Sequence, residues 1–440
     1  MADYRRGRRR QLDASASSVV MRNVMERQLM RDAARRIKKT SKGAAFSGFS
    51  LQGALDTYDP ETSKIKLSFL RKRSRVAEII AAGELIFALT RHGVCAAFNR
   101  DTMTRVCYLN ITPAEVVRSL FYNKVNKSII TVSVYRTDNF SSLRCRTTPL
   151  EHIARGQPDA GFALFESESL RWPGFVEFDD VNAKVLTYSA ASKTYKVWDL
   201  SNYTLLYEVQ DTRIQEIKIS PGIMLLIYPR TTSHVPLKIL NIETGEVLKE
   251  FKHLLHRNKR VDFIEQFNEK LLIKQENENL QIVDVESSKI LEVSQTEFVT
   301  PKAFIFLYDC HLFLTFLQSS IAVWNFRGEL VTKFDDHRLQ FLDTHTNNIY
   351  INSRQDTIIS YCKQHGNAKG SINVSDIFTG ASIGKIAPED GLSPAAESDD
   401  RAGPAAQAAA LDDVTALFYN EERNEIVTGD NSGRIHIWSN

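Results

Sequence analysis

A chain of 440 residues with 43% hydrophobic and 25% charged side chains has the make-up of an ordinary globular protein able to bury a sizeable core. Its longest apolar runs, such as 223–228 and 303–308, are strand-sized, so no membrane-spanning helix is expected, and no apolar stretch of a secretory signal follows the arginine-rich start. The net charge of +3 hides an uneven split: residues 1–40 hold twelve Arg/Lys against four Asp/Glu, a surplus of +8 that leaves −5 for the remainder.

That basic segment, residues 1–45, reads as a helical or disordered arm. Arg5, Arg6, Arg8, Arg9 and Arg10 form one cluster, and residues 18–39 place Met21, Met25, Leu29, Ala33 and Ile37 at helical spacing. Three readings stand side by side. The helix packs its apolar stripe on the body or on a partner, or the arm attracts nucleic acid through phosphate charge, or it is a nuclear import signal seconded by Lys72, Arg73 and Arg75. Asp3, Asp13, Glu26 and Asp32 interrupt it and argue against a mitochondrial presequence.

After the arm, residues 64–70 (KIKLSFL) alternate as a strand should, and from about residue 75 the chain becomes a series of short β-rich runs separated by turns. One unit recurs. Residues 195–209 read YKVWDLSNYTLLYEV, 236–251 PLKILNIETGEVLKEF, 280–293 LQIVDVESSKILEV, 321–334 IAVWNFRGELVTKF and 372–386 INVSDIFTGASIGKI, and the chain closes on GDNSGRIHIWSN. Each copy is two strands joined by a polar turn, at intervals close to one propeller blade. The expected sheets are 75–110, 113–153, 175–209, 213–251, 260–293, 301–334, 347–386 and a shared closing one. That count favours eight, with seven the commoner number. Residues 155–173 read as a long connection, and 387–411, rich in Pro and Ala, as a disordered insert.

Trp198-Asp199, Trp324-Asn325 and Trp438-Ser439 resemble the Trp-Asp ends of WD40 repeats, over roughly residues 64–440, and the chain also resembles a plant transducin-like WD-repeat family. The resemblance implies an all-β propeller of seven or eight blades. A blade alone buries little apolar surface, whereas radial stacking covers both its faces. The last repeat supplies three strands, so an N-terminal strand, residues 64–70, is expected to complete it and remove the open edge.

The search for chemistry finds no phosphate loop, dinucleotide fingerprint, zinc-protease motif or serine elbow, and no cofactor is expected. Cys95, Cys107, Cys145, Cys310 and Cys362 are odd in number and unpaired in spacing, which fits buried free thiols better than disulfides or zinc. His253 and His256 precede Arg257, Lys259 and Arg260; so much positive charge suits a basic loop facing an acidic partner and not a metal. The pairs Asp179-Asp180 and Asp412-Asp413 sit where turn aspartates bond the backbone. Trp324-Asn325-Phe326-Arg327 resembles the Trp-Asp-x-Arg end by which WD40 proteins dock onto cullin-RING ubiquitin ligases, with Arg327 protruding into an acidic pocket. The expected function is thus a non-enzymatic scaffold for protein partners, nuclear or cytoplasmic. The alternatives are a ubiquitin-ligase substrate receptor, or a ribonucleoprotein component using the arm.

Overall fold

Short strands that are apolar on both sides need a neighbour on both sides, and the computed structural model supplies one through eight four-stranded antiparallel sheets. It describes residues 46, 48–59, 67, 72–171, 175–317, 320–334, 336–337, 348–363, 370–388 and 403–440. The chain divides into two units, Met1–Gly48 with Asn440, and Phe49–Ser439. The second is an all-β, eight-bladed propeller, and the arm, including Arg5, Arg6, Arg8, Arg9 and Arg10, lies outside the described residues. Blades 1 to 7 span residues 76–108, 115–167, 177–210, 216–254, 261–293, 303–334 and 349–386, and blade 8 joins 414–439 to 50–56.

The apolar runs are explained residue by residue. In the second strand of blade 4, Ile223–Ile227, Met224 and Leu226 pack into the layer shared with blade 3, whereas Leu225 and Ile227 pack into the layer shared with blade 5. Leu85, Phe87 and Leu89 of blade 1 face blade 2, while Ile86 and Ala88 face blade 8. Side chains alternate across a strand, so a strand between two blades must be apolar at every position.

The ring closes with an N-terminal strand, but an earlier one than residues 64–70. Ser50–Asp56 pairs with Arg434–Ser439 and fills the fourth position of blade 8. Residues 64–66 and 68–70 lie outside the described residues, and Leu67 is buried in the layer between blades 8 and 1. The sequence SLQGALD carries Leu51 and Leu55 inward, both buried, but Gly53 blunts its strand signal. That glycine sits where the register shifts, and a Cβ there would come within 2.6 Å of Met103. Past the strand, Thr57 donates from its N–H and its hydroxyl to the Gly433 carbonyl at 3.1 and 2.7 Å. Arg73 forms a two-point ion pair with Asp56, so part of the second basic cluster is tied to the closing strand. Blades 8 and 1 are further joined by Arg100, which grips both oxygens of Glu425. Gly429 allows their close approach, since a Cβ there would meet Val76 at 2.5 Å.

Two other expectations change. The fourth strand of blade 2 is Phe162–Ser167, inside the stretch read as a connection. It returns after helix α1 (Leu150–Ala154), whose Ile153 is fully buried. Within 387–411, residues 389–402 are not described, whereas Pro404–Ala410 forms helix α2 and buries Ala410 and Leu411. Pro at the first turn followed by alanines favours helix there over a loop.

Candidate functional site

Two surfaces stand out, one on the outer rim and one in the channel. On the rim, the fourth strands of blades 3 to 6 each open with two apolar residues: Leu205-Leu206, Val247-Leu248, Ile290-Leu291 and Leu330-Val331. These eight are 38–55% exposed. They share one level, because Leu205, Val247, Ile290 and Leu330 lie opposite Trp198, Leu240, Val283 and Trp324 on the third strands. Single exposed leucines are common, but here the same apolar pair recurs at one register on the outer strands of four successive blades.

In the channel, the inner strands of blades 3 to 6 and the residues beside them line a cavity of about 490 Å³, with Glu177, Lys218, Glu265, Gln266, Phe306 and Tyr308 among its walls. Lys218 Nζ lies 2.9 Å from Glu265 and 3.9 Å from Glu216. Burial pushes the Glu177 carboxyl up to about 7, with Asp179 adding to the shift and Lys218 opposing it, and burial also raises Glu265. Tyr308 is raised to about 12 by burial and by Asp179, Glu265 and Glu177 around it; its hydroxyl reaches the Ile219 carbonyl of blade 4 at 3.5 Å, past blade 5. Elsewhere along the inner strands, Glu78 is raised to about 7 by burial and accepts a hydrogen bond from Ser119 at 3.2 Å.

One buried constellation has the residue types of a hydrolase. His337 Nδ1 lies 2.6 Å from Ser360 Oγ, and its Nε2 lies 3.6 Å from Asp336. Both Ser360 and His337 are buried. The group instead fastens the segment after blade 6 to the second strand of blade 7. Among the described residues, no group of three or more His, Cys, Asp and Glu is placed to hold a metal ion, and no helix is long and apolar enough to cross a membrane.

The residues singled out in the sequence fall into three kinds. Trp324 is core: it packs edge-on against Phe298 with ring centroids 5.2 Å apart, and its Nε1 donates to Thr315 at 3.0 Å. Trp198 and Trp438 make the same third-to-second-strand bond, to Thr187 at 2.8 Å and Thr428 at 2.9 Å. Arg327 is exposed in the turn leading to Leu330, its backbone N–H held by Asn325 Oδ1 at 2.9 Å. Arg257 and Arg260 are exposed, Lys259 pairs with Glu278, and Arg260 lies 3.3 Å from Asp262. His253 is buried and bonded to Gln281 at 3.0 Å. Asp179 accepts the Val181 N–H as a turn aspartate does, and Asp412 and Asp413 both bind Lys363. Cys95, Cys145 and Cys362 are buried, and Cys107 and Cys310 half-buried.

Sequence reasoning missed the rim band and the channel cavity. The first had a signal, since LL, VL, IL and LV at one place in successive repeats break the in-and-out alternation of an outer strand. The second had none, because its residues come from four blades.

A family profile described as "Domain of unknown function (DUF7899)" matches residues 34–438. No curated protein matches the sequence. Among solved structures, the computationally designed Ika8 protein aligns over 84% of this chain and 97% of its own at 14% identity, with a TM-score of 0.49. BamB from Moraxella catarrhalis aligns over 90% and 98% at 11% identity, with a TM-score of 0.42.

Proposed function

We propose, for a chain that belongs to this domain-of-unknown-function family, a scaffold role in which the rim of blades 3 to 6 receives a protein partner. The carrying observation is the band of paired apolar residues on four consecutive outer strands. Exposed apolar side chains are stabilised when a partner covers them, and an apolar centre with a polar edge is the usual anatomy of an interface. The repeated Trp-to-Thr bond on three blades supports WD-type repeats as the origin of the architecture. The role needs no chemistry from the chain, and the enclosed Ser360 and His337 fit a fastening duty.

A variant carrying Leu206→Asp, Leu248→Asp and Leu291→Asp tests the proposal. These positions are exposed, so folding should change little, with each substitution within about 0.5 kcal/mol. Affinity purification followed by mass spectrometry should lose the partners that the unaltered chain retains. Recovery of the same set would refute the rim as the docking surface.

A second reading is favoured by Arg327, which is exposed beside Leu330 at the same edge. In this reading its guanidinium enters an acidic pocket on a ubiquitin-ligase adaptor. An Arg327→Ala protein that still co-purified with such an adaptor would sink that reading while leaving the rim intact.

A further inference from the structure

Blade 4 carries the longest outer strand of the ring. Val247–Leu254 has eight residues, and the fourth strands of the other blades have four to seven. It pairs with the third strand, His234–Asn241, on one side, and among the described residues no strand meets its other side. Which backbone groups face that open side follows from the ladder. Pro236, opposite Lys252, has no N–H, and its carbonyl accepts from Tyr228 at 3.1 Å, on the side of the second strand. The Leu255 N–H donates to the Ser233 carbonyl at 2.8 Å. Bonding alternates along an antiparallel pair, so Lys249, Phe251 and His253 bond the third strand, whereas Glu250, Lys252 and Leu254 turn their N–H and C=O groups outward. Such a row is a template for another strand.

The side chains along this edge are complementary to themselves. Glu250 holds Lys238 at 2.7 Å yet keeps 57% of its side chain exposed; Lys252 is exposed, and Leu254 is 76% exposed. An identical strand arriving antiparallel must draw its hydrogen-bonded pairs from these outward residues. A two-fold axis at Glu250 or at Lys252 would set like charges face to face, which is destabilising. An axis at Phe251 sets Glu250 against Lys252 of the second copy and Lys252 against its Glu250, and it brings Leu254 to Leu248, where the ladder to the third strand slips. A lone lysine on an edge discourages pairing, whereas glutamate and lysine two residues apart on one face select a single register for it. We infer that two copies of this chain pair antiparallel along Val247–Leu254 about an axis at Phe251, joining two four-stranded blades into one continuous sheet. The edge shares Leu248 with the partner-receiving rim, but pairing needs no other protein, so the purified chain tests it apart from the rim.

The test is sedimentation velocity of the purified full chain over a concentration series, with Glu250→Lys and Lys252→Glu alongside. The unaltered chain should dimerise reversibly. Either substitution turns both cross-strand pairs from attractive to repulsive and should weaken self-association at least about tenfold. An equimolar mixture of the two variants restores opposite charges in both pairs, so it should form a 1:1 dimer as readily as the unaltered chain, which also shows both variants to be folded. A chain monomeric across the series, a dimer that neither substitution weakens, or a mixture that associates no better than each variant alone would overturn the pairing.

Discussion

The bond between Trp438 and Thr428 ties the third strand of blade 8 to the second, and it can be measured as a coupling. Both side chains are fully buried, and Nε1 lies 2.9 Å from Oγ1. The Trp438 strand also pairs with the closing strand Ser50–Asp56, so loosening it weakens the seam of the ring. Thr428→Val keeps the shape but leaves the indole N–H without an acceptor, for a loss of about 1–3 kcal/mol. Trp438→Phe strands the threonine hydroxyl and opens space, for about 2–4 kcal/mol. In the double variant neither polar group remains, so its loss should fall short of the sum by about 1 kcal/mol. Urea denaturation of the four proteins, read as midpoint times slope, gives the coupling. Additivity within about 0.5 kcal/mol would refute the bond as a stabilising element. The half-buried Trp198 with Thr187 should couple more weakly, since water can replace the lost partner.

Leu55→Ala in the closing strand should destabilise by about 2–5 kcal/mol, because a side chain enclosed between blades leaves a cavity; a smaller change in urea would show the strand to be dispensable. Burial holds His337 down at about 4 against Asp336, which opposes the shift. The unfolded chain therefore takes up this proton near 6.5 and the folded chain does not, so stability is full above about 6.5 and falls by about 3 kcal/mol by pH 4. The raised acids Glu78 and Glu177 act in the opposite sense, so the measure is thermal unfolding of the unaltered chain against His337→Gln, whose pH dependence should lack this step. If the arm binds nucleic acid, affinity should fall steeply with salt and vanish when residues 1–40 are deleted, which filter binding would read.

What residues 195–439 say about themselves is largely what they form. Each repeat carries its own two strands, its polar turn and its inward-facing positions, so the boundaries of blades 3 to 7 and the places of Trp198, Trp324 and Trp438 could be taken from local alternation. The number of sheets followed from the same rhythm, because every blade repeats one local solution. Local pattern is silent on which edge meets which, and there tertiary structure decided. Ser50–Asp56 won the seam although residues 64–70 alternate more cleanly, since the place requires a Gly53 that clears Met103 and a Thr57 that reaches Gly433. Phe162–Ser167 became the edge of blade 2 because α1 returns the chain to it. Glu177, Lys218, Glu265, Gln266 and Tyr308 share a cavity only because a closed ring brings inner strands from different blades to one axis. Strand pairing is written in neighbours along the chain, whereas a channel is made by radial distance, which no local spacing encodes.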